Sequence, residues 1–566
     1  MNTKRIEEVA NPIVYIFITL ILSSITFGLF SDFKKLTIFI VGFFFICVFY
    51  YCGIRFTVVI SLIFVMGLFM NFSYYNINFN ADVEAEVRIL KNNSYETIGC
   101  YNGKKIIIEN LQDKLTQGDK FNIKGTLKGN SIKEKGIVGT LFINNIQKSD
   151  DDFISNLYHI KNKVYKMLEE NLGKRKAGLI SSIAFGYSEC LDDEDKDYMK
   201  SFGIIHAISV SGLHVAIVYS VLKRFLGVKI GLIATIIYVL FTGSNYSSIR
   251  AFLMLSTLEL SYLLKRNNNS ISALSISGII LLLMRPYAVF ENSFHLSYLA
   301  TLGIILYNKK LNYKFYKLPK VLRNTLSISL SAQIFTFPYL ILVFKDFSVN
   351  FIVGNLFLMP FINLIVICGN ILPVTYVIPS LFDFCSYINL VILKWFDWTL
   401  DKLEYYSLPI INGNEYIAIF YMSILISLYF IKNNQYKFIY LPILFIVAIT
   451  VELYSPLPKI QYYNEGAFLV TYKGDRLLVT NKNNIDIKKI KNMTFSTKIY
   501  RENGVVNIGN KAKIKQYKNN CILKIDNKNY ILKTNNTKVN SKDYDIINFR
   551  DNNINKIILF KGKVLF

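Results

Sequence analysis

With 566 residues, 52% of them hydrophobic, and a formal net charge of +25, the chain is too apolar for an ordinary soluble protein and too long for one small domain. A charge of that size fits nucleic acid, anionic lipid or the Lys/Arg flanks of membrane spans, and more than half of the excess lies from Lys459 onward. The seven cysteines contain no CxxC pair, and only Cys100 and Cys521 fall in expected soluble parts, which excludes a disulfide framework within either one.

Apolar runs near 12–30, 36–53 and 56–72 are each long enough to cross a hydrocarbon core of about 30 Å. They predict N-terminal transmembrane helices over 1–75, the first read as a retained signal anchor. Residues 79–148 then switch to period-two segments (VEAEVRIL, KKIIIEN, KFNIKGTLK, GTLFINNI) separated by NN, GK, GD and GN turns, the pattern of short strands. Five such strands in this length predict a small OB-like β-barrel. Barrels of this kind often bind nucleic acid; a purely structural module is the equal alternative.

Helical spacing of Phe153, Leu157, Ile160, Val164, Met167, Leu168 and Leu172 predicts an amphipathic membrane-surface helix over 153–175. A transmembrane domain over 176–455 follows, bringing the expected total to ten to twelve spans. Within it, Asp192, Asp193, Glu194, Asp195 and Asp197 read as a solvated helix start, and Trp395 and Trp398 as interface anchors. The tail, 457–566, returns to short alternating strands and reads as a β-rich basic soluble domain. The predicted fold class is therefore a polytopic α-helical membrane protein with an OB-like insertion and a β-rich C-terminal domain.

The most informative stretch is HAISVSGLHV at 206–215, which places two of the four histidines in an apolar context. Ionisable side chains and loosened backbone both need partners in a bilayer. Ser209, Ser211 and Gly212 supply a break between His206 and His214, and Gly212 also permits close helix approach. Ser211 and His214, three apart, invite a nucleophile reading, but no carboxylate within the motif would orient the histidine. A metal reading lacks a third ligand. The remaining choices are histidines satisfied by a neighbouring helix or histidines lining a polar path. Arg250 in SSIRAFLM is a second intramembrane charge with the donor geometry for phosphate, unless it snorkels to an interface. Glu259, on the same span, would pair with another helix or with neighbours of Arg250.

HAISVSGLHV resembles the HLLAISGLHV signature of ComEC-type competence proteins. The resemblance extends in order through AFGYSECLDDEDKDYMKSFGIIH, SSIRAFLM, RPYAVFENSFHLSYLATLGI, AQIFTFPYLILVFKDFS and NLFLMP. Arg285 stands where the family pattern has Asn, and His295 where it has Gln. The resemblance implies a channel carrying single-stranded DNA across the cytoplasmic membrane during natural transformation. On it the DNA-path candidates are His206, Ser209, Ser211, Gly212, His214, Arg250 and Gln333, the last within AQIFTFPY.

Many family members end in a metallo-β-lactamase-like domain, whose chemistry needs a His/Asp cluster. No histidine follows His295, so the tail is expected to be a degenerate or truncated version without hydrolase activity. No metal or other cofactor is expected. Nor is there a GxxxxGK[ST] motif; the resemblance therefore implies a helicase-like ATPase on the cytoplasmic side and a DNA receptor outside as partners, besides membrane lipids. No oligomeric state follows from the sequence. A small-solute or lipid transporter, and an intramembrane hydrolase using Ser211 and His214, are the rival readings.

Overall fold

The computed structural model describes residues 11–77, 82–92, 96–109, 115–265, 269–463, 466–480, 487–501, 505–508, 512–517, 520–525, 528–534, 545–549, 556–560 and 563–565. The chain divides into two compact units, Met1–Thr336 with Ser348–Pro409, and Phe337–Phe347 with Ile410–Phe566.

In the first unit, strands β1 (Asp82–Asn92), β2 (Thr97–Tyr101), β3 (Lys104–Glu109), β4 (Lys120–Lys128) and β5 (Ile137–Lys148) close a barrel in the order β1-β2-β3-β5-β4. Strand β1 pairs with β4 to complete the ring, and β3 runs parallel to β5. Alternate residues point inward, as the period-two pattern requires, so Val87, Ile89, Ile106, Ile108, Ile123, Leu127 and Leu141 form the interior. Asn102 and Gly103 both take positive φ between β2 and β3, the conformation of a tight hairpin turn. The barrel is fastened to the preceding helix by backbone acceptors. Tyr74 Oη donates to the Gly136 carbonyl at 2.9 Å, Tyr75 Oη to that of Lys133 at 3.0 Å, and Lys104 Nζ to those of Ser73 and Asn76 at 2.9 Å.

Among the described residues, seven helices are long and apolar enough to cross a membrane: Pro12–Leu29, Lys34–Tyr75, Gly212–Phe241, Lys320–Val343, Phe351–Thr375, Glu415–Lys432 and Tyr436–Leu453. That is fewer than the ten to twelve expected, partly because Ser270–Met284 is short and partly because two long helices are hairpins. In Lys34–Tyr75, Gly53 adopts φ 77° and ψ 171°, and the ring centroids of Phe45 and Phe64 lie 5.5 Å apart. A continuous helix would separate these two residues by about 28 Å. The chain therefore reverses at Gly53 and yields the two spans read at 36–53 and 56–72.

Gly227 plays the same part in Gly212–Phe241, with φ 78° and ψ 178°. A Cβ on Gly231 would lie 3.2 Å from the Lys223 backbone, a contact open only to a chain that has turned back. Each arm is about 21–22 Å long at about 1.5 Å per residue, shorter than a hydrocarbon core of about 30 Å. The 206–215 motif thus opens a short helical hairpin rather than one long span.

The helix Phe153–Leu172 begins at Asp152, whose side chain accepts from Ser155 N–H. Its apolar face is covered by protein: Val164, Tyr165 and Leu168 join Ile180, Ile183, Phe185, Ile362, Val366, Phe382 and Phe396 in the largest core of the unit. Lys161 is buried on that face, its ammonium 4.7 Å from the Tyr158 ring and 5.5 Å from the Phe241 ring. The acidic run starts the helix Asp193–Ser201 but is not wholly solvated, because Asp195 is buried and accepts hydrogen bonds from Arg175, the shortest at 2.7 Å. Trp395 and Trp398 are both exposed, as an interfacial position requires.

Among the described residues the second unit contains the helices Glu415–Lys432 and Tyr436–Leu453, the short strand pair Asp346–Phe347 and Ile411–Asn412, and two larger sheets, one of six strands and one of five. Ile460, Phe468, Val470 and Val479 from the first sheet share a core with Ile514, Leu523, Leu532 and Ile547 from the second. The tail is thus a two-sheet β domain that carries a short helix, Ile487–Thr494.

Candidate functional site at the histidine motif

The motif folds as a turn, a short 3-10 helix Ile205–Ala207 and the entry to the hairpin helix at Gly212. Ser211 is the N-cap of that helix, in extended conformation. Its backbone N–H donates to His214 Nδ1 at 3.4 Å, and its hydroxyl faces the third amide of the helix in a capping-box arrangement at a geometry short of a full hydrogen bond. His214 is fully buried, and among the described residues its Nε2 has no hydrogen-bond partner. The imidazole therefore addresses the Ser211 backbone rather than its hydroxyl, which is the geometry of a cap and not of a base activating a nucleophile.

The next helix, Tyr246–Leu263, packs directly on this entry. Ser247 Oγ accepts the Gly212 N–H at 3.1 Å, satisfying one of the free donors at the helix start. Arg250 is buried, and a Cβ on Gly212 would meet its Nη2 at 2.7 Å and the Ala251 Cβ at 3.3 Å. The guanidinium does not snorkel. Among the described residues its Nε has no hydrogen-bond partner, and Tyr298 lies within its electrostatic reach. Further along, Glu259 pairs with Lys223 Nζ at 2.6 Å, joining the helix to the first arm of the hairpin as a buried carboxylate with a partner on another helix.

His206 and Ser209 differ from the residues behind them. Both residues are exposed, and the His206 imidazole is hydrogen-bonded to the Gly203 backbone. Gly203 itself, at φ 65°, packs so tightly on Phe351 that a Cβ would lie 2.7 Å from the Phe351 Cβ.

Two residues absent from the sequence-based candidates hold this arrangement. Asn350 is buried, donates to the carbonyls of Ser201 at 3.1 Å and Leu408 at 2.8 Å, and accepts the Leu408 N–H at 2.9 Å. Ser247 caps Gly212 as described. An Asn or Ser inside apolar sequence is the available signal, but neither lies in the 206–215 motif. Gln333 is half-buried and its Oε1 accepts from Thr336 Oγ1 at 2.9 Å; among the described residues no hydrogen bond ties it to the histidine cluster. Arg285 donates to the Ser244 carbonyl at 3.1 Å and lies over the Tyr246 ring, so the residue that replaces the family's Asn buttresses the start of the Arg250 helix.

The motif thus sits in a helical domain with a buried arginine and a capped short hairpin, and the family model described as Competence protein matches residues 183–435; through this region the chain is similar to competence proteins of the ComEC type. It is 25% identical over 257 residues to ComE operon protein 3 of Bacillus subtilis (strain 168), covering 44% of this chain and 32% of that protein. It is also 29% identical over 198 residues to an uncharacterized protein of Aquifex aeolicus (strain VF5), covering 34% of this chain and 46% of the relative. The chain thus matches less than half the length of each of these curated relatives. No solved structure matches the chain at a significant level.

Proposed function

We propose that this chain forms the membrane core of a conduit through which single-stranded DNA crosses the cytoplasmic membrane during natural transformation. The observation that carries the reading is the division of labour in the motif: His206 and Ser209 are exposed, while His214 and Arg250 are buried and Gly212 packs against Arg250. A polar lining backed by a rigid, close-packed helix crossing suits a path for a polar polymer, because each buried polar group facing lipid would be costly. The match to competence proteins supports DNA as the cargo.

The barrel adds to this reading. Its order β1-β2-β3-β5-β4 and parallel β3–β5 pair agree with an OB fold, a scaffold suited to single strands. Basic surfaces on the barrel and tail would gather DNA by phosphate contacts that weaken as salt rises. The chain has no P-loop sequence, so a helicase-like ATPase inside and a DNA receptor outside complete the proposed machinery, and the tail is read as having no hydrolase role.

The proposal is tested by deleting the gene in a transformable host and scoring transformation with purified DNA alongside uptake into the outer compartment. Loss of transformation with retained outer uptake is the expected result. Unchanged transformation sinks the conduit reading and leaves a small-solute or lipid transporter.

A further inference from the structure

Away from the histidine motif, three side chains from separate segments converge where the barrel meets the helix that follows it. Asp119 ends the turn before β4, Asp151 lies in the linker after β5, and His159 is on the second turn of Phe153–Leu172. His159 Nε2 is 3.2 Å from Asp151 Oδ2 and 3.4 Å from Asp119 Oδ1, and the three donor atoms all lie within 4.8 Å of one another. Asp119 is more than nine-tenths buried, at 7% exposure. Its Oδ2 is taken by Thr116 Oγ1, but its Oδ1 is aimed at the cluster, and among the described residues neither it nor His159 Nε2 makes a well-formed hydrogen bond.

The surrounding packing holds these atoms in place. Ser155 Oγ donates to the Gly118 carbonyl at 2.9 Å, and Gly118, at φ 94°, lies against the Tyr158 ring where any Cβ would clash at 2.3 Å. Asp152 caps the helix and pairs with Arg88 of β1. The two carboxylates and the histidine are thus brought together by a turn, a linker and a helix that are each fixed independently.

We propose that Asp119, Asp151 and His159 bind a divalent transition-metal ion of the Mn²⁺ to Zn²⁺ series, which clips the barrel to the first helix of the membrane domain. One imidazole with two carboxylates is a donor set for such ions rather than for Mg²⁺ or Ca²⁺, which take oxygen alone. With metal–ligand bonds of about 2.1 Å, tetrahedral or octahedral ligands stand about 3.0–3.4 Å apart, which matches both histidine–carboxylate distances. The ion would also neutralise the two adjacent carboxylates, one of them buried, and give Asp119 Oδ1 and His159 Nε2, which make no well-formed hydrogen bond, a common partner. The role is structural, because the site links three chain segments.

The test uses the full chain in detergent, purified without a histidine tag and stripped with a chelator. Titration with Zn²⁺ and Mn²⁺ separately, read by calorimetry and by metal analysis after desalting, should show one site per chain that raises the melting temperature and that excess Mg²⁺ does not displace. His159→Gln and Asp151→Asn should each weaken binding by at least an order of magnitude and abolish the metal-dependent shift. Asp151 is on a linker, so its variant keeps the test valid if a change at buried Asp119 prevents folding. Equal binding by the wild type and both variants, or no binding by a folded wild type, overturns the proposal and leaves a histidine–carboxylate ion pair only.

Discussion

A Cβ added to Gly212 would stand 2.7 Å from Arg250 Nη2, so the first residue of the hairpin helix and the buried arginine of the next helix occupy contiguous, fully used space. Overpacking such a site costs about 1–3 kcal/mol. Gly212→Ala should displace the guanidinium and reduce transformation, and Gly212→Val should reduce it further, with membrane levels checked by immunoblot. Wild-type transformation in Gly212→Val would mean that this crossing does not matter to transport.

Ser211→Ala separates a path residue from a nucleophile. The hydroxyl makes no full hydrogen bond, so the change should cost less than the roughly 1 kcal/mol typical of an N-cap and leave transformation near the wild-type level. An order-of-magnitude loss in correctly inserted protein would favour the intramembrane hydrolase. His214→Ala, by contrast, removes the acceptor of the Ser211 N–H and should lower the melting temperature more than Ser211→Ala does.

Gly227 reverses the hairpin at φ 78° with nothing within 4 Å of where a Cβ would be. Any loss in Gly227→Ala is therefore backbone strain, about 1–3 kcal/mol for a conformation that only glycine adopts readily. The melting temperature of the full chain in detergent should fall, while Val228→Ala, one residue on, should change it little. Equal behaviour of the two variants would count against a reversal at Gly227.

Lys161 is buried in the largest core, and burial pushes its ammonium down to about 8, with Glu189 opposing the shift. An unfolded lysine titrates near 10.4, so between about pH 8 and 10.4 the unfolded state holds more protons and stability rises with pH. Below about pH 8 both states are charged and the full burial cost is present. Lys161→Met should therefore raise the melting temperature most at pH 7, by on the order of 2–4 °C, with the advantage shrinking towards pH 10. A pH-independent difference would show that Lys161 keeps the same charge in both states throughout.

Much of the architecture is legible in the residue pattern alone. Period-two alternation in VEAEVRIL and KFNIKGTLK announces the barrel because one face of each strand must be apolar to fill a closed interior, and Val87, Ile89, Ile123 and Leu127 do fill it. Apolar length marks the membrane helices, and the small residues around His206 and His214 mark the entry to one of them. Gly212 and Arg250, both candidates by sequence, do converge, whereas Gln333 makes only a local bond to Thr336.

The sequence by itself determined composition-driven properties: membrane character, a five-stranded insertion, a β-rich tail and a motif whose polar residues are out of place in lipid. Local patterns suffice for these because hydrophobic periodicity and turn chemistry act over a few residues. Only the tertiary structure decided that Gly53 and Gly227 reverse the chain, that Arg250 packs under Gly212, and that Asp119, Asp151 and His159 meet. Those outcomes depend on a single glycine's ψ or on packing between segments tens of residues apart, and side-chain period along the chain carries no record of either.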